Sequence, residues 1–214
     1  MTDIGRWVET WRELGVGDSP TLRHLYGDVL GRYSEPHRHY HTYQHLAECF
    51  AKVQDIISLA QHPAEVNVGL WFHDVIYDTQ RYDNEERSAD WARHTARDLG
   101  VSAESAQRIY DLIMVTRHAA EPVGIDAKVL VDADLSILGA EPARFLEYET
   151  QVRNEYAWVP DAIFRSTRAR ILKDFLSRPY LFCTAHFRER YEAQARRNLQ
   201  HSLVNLERIG AAGV

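Results

Sequence analysis

The chain has 214 residues, a formal net charge of −6 and a pI near 6.0. That length sustains one sizeable core, and the acidic balance argues against a nucleic acid polymer as partner. Cys49 and Cys183 are the only cysteines, too few for a disulfide framework, and no apolar run approaches the roughly 20 residues needed to span a bilayer. Met1-Thr2-Asp3 opens without a basic and then apolar leader, so a soluble, cytoplasmic, single domain over 1–214 is expected.

In chain order, the pattern predicts helix after helix. Residues 5–14 form a short opening helix stopped by Gly15 and Gly17. Asp18-Ser19-Pro20 is a helix start, a capping side chain before a first-turn proline, and Leu22, Leu25, Tyr26, Val29, Leu30 and Tyr33 then recur at helical spacing. Gly31 and Pro36 break that helix, and a polar stretch follows, His37-Arg38-His39-Tyr40-His41. A third helix uses Leu46, Cys49, Phe50, Val53 and Ile57, with His41 and His45 one turn apart at its start. Pro63 opens a segment, 66–78, that is apolar on nearly every face and carries His73-Asp74 in its middle. Helices over 84–99 and 102–118 come next, the first ended by Gly100.

The stretch 128–139 mixes β-branched residues with some alternation and reads as a helix or a short irregular segment. Helices over 141–156, 161–177 and 184–209 complete the chain. The fold class expected is an irregular all-α bundle, with a core over about 20–140 and C-terminal helices over about 141–209 packed on it.

Asp74 poses the chemical question. An ionised aspartate inside a buried helix costs several kcal/mol unless something pairs with it, and a cation that did so would also recruit His73. Neighbouring helical side chains diverge by about 100°, so other segments must close the shell. The chain offers His41 and His45, His118, and Asp132 and Asp134 within VDADLS. Each alone has an ordinary alternative: a solvated histidine loop, a helix cap, an exposed first-turn carboxylate.

Taken together and in order, a histidine, an adjacent His-Asp and a distant aspartate on a helical frame, these residues resemble the HD-domain superfamily of metal-dependent phosphohydrolases. YHTYQHL and ADLS are similar to the segments around the first and last metal ligands of cyclic-nucleotide phosphodiesterases, which belong to it. FHDVIYD, NEERSA, DADLSILG and FLSRPYLF are similar to a bacterial subgroup of predicted HD phosphohydrolases. The resemblance implies His45, His73, Asp74 and Asp134 as metal ligands, Asp134 in preference to Asp132, and His41 as the proton donor to a leaving oxygen.

Imidazole and carboxylate donors suit Mn, Fe, Co, Ni or Zn, with Mg less favoured, and one ion per chain is expected. Glu85 or Glu86 is a candidate to orient or deprotonate the attacking water. His118 and Asp132 are candidates for supporting contacts or a second ion. Arg38 and Arg168 are candidates for holding substrate phosphate, since a guanidinium matches phosphate in a bidentate way. The activity implied is hydrolysis of a phosphate ester or anhydride in a small phosphorylated metabolite, a nucleotide for preference. A homodimer is left open. A di-iron oxygenase, or a metal- or nucleotide-binding module without turnover, uses the same residues.

Overall fold

Side-chain caps and glycines set the helix ends in this all-α chain, which a computed structural model describes over residues 3–211. Met1 and Thr2, on which the reading of the amino terminus partly rests, lie outside the described residues. The chain divides into two compact units, Met1–Asp134 and Leu135–Val214. Among the described residues there is no strand, and no helix is long and apolar enough to cross a membrane.

In the first unit, α1 (Ile4–Glu13) starts at Asp3, whose carboxylate accepts the Arg6 N–H at 3.0 Å. It buries Trp7, Val8, Thr10 and Trp11 on one face. α2 (Pro20–Arg32) begins as its sequence predicts: Ser19 Oγ accepts the Leu22 N–H, and Pro20, which has no N–H to satisfy, occupies the first turn. Gly31 does not break this helix, which runs on to Arg32. α3 (Tyr43–Val53) is capped by Thr42 and buries His45, Leu46, Cys49, Phe50 and Val53. His41 therefore precedes the cap rather than lying on the α3 face.

α4 (Pro63–Phe72) is the central helix, with eight of its ten residues buried, Ala64 to Val66 and Val68 to Phe72. Trp71 meets Trp7 at 5.3 Å and Phe50 at 4.7 Å between ring centroids, which joins α4 to α1 and α3 through aromatic contacts. Where α6 (Ala103–Met114) and α7 (Ile125–Asp134) cross it, α4 carries Gly69. A Cβ there would lie 2.6 Å from Leu130 Cδ1 and 3.6 Å from Leu112 Cβ. A side chain at this position would require the Leu130 tip to move, on the helix that carries Asp134 at its last turn. α5 (Asn84–Asp98) packs against α4 and α6.

The HD pair is not in the middle of α4. The helix ends at Phe72, His73 is its C-cap, and Asp74 lies in the turn beyond. Arg38 provides the physical reason. Its buried guanidinium donates to the carbonyls of Asp74 (2.6 Å) and Val75 (3.0 Å), and the Ile76 N–H is taken by Ser88 Oγ at 3.0 Å. Backbone groups that would continue the helix are thereby satisfied outside it.

In the second unit a 3₁₀ turn (Leu135–Gly139) precedes α8 (Pro142–Glu155), α9 (Asp161–Ser177), α10 (Ala185–Phe187) and α11 (Ala193–Ala211). The sequence predicts one helix over 184–209. Thr184 caps its start, but a π turn (Arg188–Glu192) separates α10 from α11. The wider turn sets Tyr191 against Gly139, where a Cβ would fall 2.6 Å from Tyr191 Cβ and 3.1 Å from its carbonyl oxygen. Asn198 of α11 ties the same place, donating to the carbonyls of Leu138 and Ala140 at 2.8 Å each.

Gly139→Ala is expected to destabilise the chain by about 1–3 kcal/mol, because the clash falls on backbone and on Tyr191 Cβ rather than on a flexible tip. An unchanged midpoint in urea unfolding would show that the π turn yields freely.

Candidate metal centre

Three separate stretches of the first unit deliver four side chains to one place. His45 comes from the first turn of α3, His73 and Asp74 from the turn that ends α4, and Asp134 from the end of α7. The two imidazole Nε2 atoms lie 3.0 Å apart. Asp74 Oδ2 is 3.3 Å from His45 Nε2 and 3.1 Å from His73 Nε2. Asp134 Oδ1 is 3.4 Å and 3.5 Å from the same two atoms. Donors about 2.1 Å from a shared ion stand about 3.0 Å apart at octahedral right angles and about 3.4 Å apart at tetrahedral ones. The observed separations match both edges, so these side chains stand at the spacing of donors around one metal ion.

The histidines are fixed for that use. His73 Nδ1 lies 2.8 Å from the carbonyl of Leu70, which can only accept, so Nδ1 carries a proton and Nε2 is the nitrogen offered to the cluster. His45 is held by the Tyr40 ring, 4.7 Å away between centroids, and by Cys49 one turn further along α3.

Cys49 is the residue that the sequence reading missed. His45, Cys49, His73 and Asp134 form a group whose donor atoms all lie within 4.8 Å of one another and could hold a metal ion. The thiol is buried, and its sulfur sits 3.6 Å from His45 Nδ1 and 3.7 Å from Nε2. Near-equal distances to both ring nitrogens place sulfur beside the ring rather than along the Nε2 lone pair. Asp74 Oδ2 lies closer to His45 Nε2 (3.3 Å) than the thiol does and also reaches His73 Nε2 (3.1 Å), so it is a candidate donor alongside Cys49. The signal for Cys49 was its i+4 spacing from His45, hidden because it also fills an apolar position of α3.

Electrostatics show how the cluster balances its charge and how a cation could take part in that balance. Burial favours neutral forms, lowering the pKa of His45 and His73 and raising that of Asp74 and Asp134. Mutual pairing overrides burial in each case. Beyond burial, Cys49, Tyr40 and the two carboxylates raise His45, while Asp74, Tyr33 and Asp134 raise His73, both well above the ordinary imidazole range. Asp74 is held well below the carboxylate range by His73, His41 and His45, and Asp134 by His118, His45 and His73. Protons on two imidazoles thus balance two carboxylates, and a dication can replace them.

The other expected residues separate into distinct places. His41 precedes α3, stacked on the Tyr77 ring at 4.0 Å with its centroid 5.7 Å from that of His45. Glu85, in the first turn of α5, is half-buried, and burial and the charge of Asp74 raise its pKa against the opposing pull of Arg117 and His118. Glu86 is more exposed and pairs with Arg117 at 3.1 Å. His118 Nε2 lies 3.1 Å from Asp134 Oδ2, the oxygen that does not face the two histidines. Asp132 is fully buried within α7.

Neither arginine expected to hold phosphate is available for it. The Arg38 side chain is 0% exposed and bonds to Glu35 and to the carbonyls of His41, Asp74 and Val75. It is a latch on the turn that carries the HD pair. Arg168 belongs to the second unit, where it pairs with Glu149 and donates to Tyr148 Oη at 2.8 Å, with 11% of its side chain exposed. In the sequence Arg38 stands out for its place beside the histidine loop and Arg168 for its place one turn from Phe164, and both placements suit a buried guanidinium bonded within the fold equally well.

The raised histidine pKa values set a direction for metal uptake. An ion must displace both protons, so affinity should fall as pH drops through those values, starting above the usual imidazole range. By the same linkage, the metal-free fold loses the stabilisation of its protonated pairs as pH rises through them. Calorimetric titration with Co(II) between about pH 6 and 9, in buffers of different ionisation enthalpy, should show proton release and affinity rising with pH. A pH-independent affinity with no proton release would contradict it.

Comparison with protein-family models, with curated proteins and with solved structures finds no match, so what stands is an all-α fold with a buried His/Cys/Asp cluster that could hold a metal ion.

Proposed function

We propose that this chain is a metal-dependent phosphohydrolase of the HD type, cleaving a phosphate ester or anhydride of a small phosphorylated metabolite, with a nucleotide the leading candidate. The observation that carries the reading is the convergence of His45, His73, Asp74 and Asp134 at 3.0–3.5 Å from three stretches of chain. Their order is that of the superfamily that the sequence resembles. An ion held by these four residues supplies Lewis acidity toward a phosphoryl oxygen and makes water a stronger acid.

The remaining steps fall to the chain. Glu85, in the first turn of α5, has its pKa raised by burial and by the charge of Asp74, and it is the carboxylate we assign to accept a proton from water. His41 donates to the leaving oxygen, and the flat stack with Tyr77 limits its ring to orientations beside the cluster. Arg38 acts at one remove by fixing the Asp74 turn, so substrate charge is met by the ion and not by this guanidinium.

A phosphate-release screen over nucleotides and phosphorylated metabolites, with Mn, Co, Ni, Zn and Mg supplied in turn, tests the reading. Release that requires metal and is lost in Asp74→Ala supports it. Two irons per chain with oxygen consumed and no phosphate released would replace it with an oxygenase. His41→Ala should keep the metal and slow turnover by about 10²–10⁴-fold, whereas an unchanged kcat would remove His41 from the proton-donor role.

A further inference from the structure

Every other left-handed backbone position described in this chain is a glycine. Gly15 (φ 84°) and Gly100 (φ 86°) follow the ends of α1 and α5, and Gly124 (φ 84°) precedes α7. His118 is the exception, at φ 52° and ψ 21°, closing the 3₁₀ turn (Val115–Arg117) that follows α6. A Cβ in this region crowds the carbonyl oxygen, and glycine or asparagine adopts it with less strain. The backbone function here, a His118 N–H bond to the Val115 carbonyl, needs no imidazole.

What the imidazole does is reach Asp134. Its Nε2 lies 3.1 Å from Asp134 Oδ2, while Asp134 Oδ1 faces His45 and His73. An ionised carboxylate can only accept, so the ring nitrogen donates. The left-handed turn aims the ring, and the ring holds the outer oxygen of the last ligand.

We propose that His118 is a positioning residue of the metal centre, kept in a strained backbone conformation so that it holds Asp134 with one oxygen, and only one, turned to the ion. The proposal rests on the metal site of the preceding section but not on phosphoryl chemistry. Strain at such a position persists where the surrounding structure imposes it, and here it serves ligand geometry rather than folding.

Two substitutions separate those roles. Asparagine tolerates the left-handed backbone but is too short to place a donor at the Nε2 position. Glutamine carries a donor nitrogen as many bonds from Cα as His Nε2 but gains nothing from the backbone. His118→Asn is therefore expected to keep or raise the thermal midpoint of the metal-free protein and to weaken Co(II) binding by about 10–100-fold. His118→Gln should recover part of the affinity with a midpoint no higher than that of the asparagine variant. The Co(II) absorption spectrum should change in His118→Asn as Asp134 becomes free to offer both oxygens.

Wild-type affinity in His118→Asn would overturn the proposal, as would equal losses in both variants accompanied by lower midpoints, the mark of a structural residue. Two ions in the wild type and one in either variant would make His118 a ligand instead. Co(II) bound with the expected ranking but no phosphate released from any substrate would leave this proposal standing and remove the hydrolase reading. A wild type that binds no Co(II) would remove both.

Discussion

Two buried carboxylates and two buried imidazoles share one small space, and their charge balance is the constraint on which the first unit depends. Asp74 and Asp134 each lie within 3.5 Å of both His45 and His73. Neither carboxylate could remain ionised there without positive charge alongside. Two imidazolium protons supply that charge here, and a dication held by the same atoms would supply it in their place. Switching between these states needs no rearrangement of the backbone, because the same nitrogen and oxygen atoms already stand at ligand spacing.

Holding them at that spacing is a matter of helix ends rather than helix faces. His45 sits in the first turn of α3, Asp134 in the last turn of α7, and the HD pair at the end of α4. Helix termini leave backbone groups unsatisfied, and this chain answers with polar side chains placed close to the site. Arg38 takes the carbonyls beyond α4, Thr42 caps α3 immediately before the ligand turn, and the Leu70 carbonyl orients His73. Charge-assisted bonds of the Arg38 type contribute about 1.5–3 kcal/mol each, which explains why a buried guanidinium is tolerated there.

The donor set also bears on which metal fits. In the function proposed here, two imidazoles and two carboxylates would favour a first-row transition ion over Mg, which prefers oxygen donors and retained waters. The Cys49 thiol beside His45 adds a polarisable wall to the site. The two residues to which the proposed hydrolysis assigns proton transfer sit on different supports: His41 ahead of α3 on the Tyr77 ring, Glu85 in the first turn of α5.

Local chemistry made much of this legible in advance. Caps such as Ser19 before Pro20, the all-round apolar character of α4 and the ordered His45, His73-Asp74, Asp134 set all depend on residues close in sequence or on a pattern of types, and these give the all-α class and the ligand candidates. What sequence could not show is where a helix stops when its last carbonyls are taken by a residue 36 or more positions away, as Arg38 does to Asp74 and Val75. For the same reason arginines that looked free for phosphate, Arg38 and Arg168, are consumed by partners distant along the chain, and Cys49 looked apolar until His73 and Asp134 were brought to its helix. Periodicity reports what a residue's own helix asks of it. Which other segment satisfies its charge or its hydrogen bonds is decided only when the helices meet.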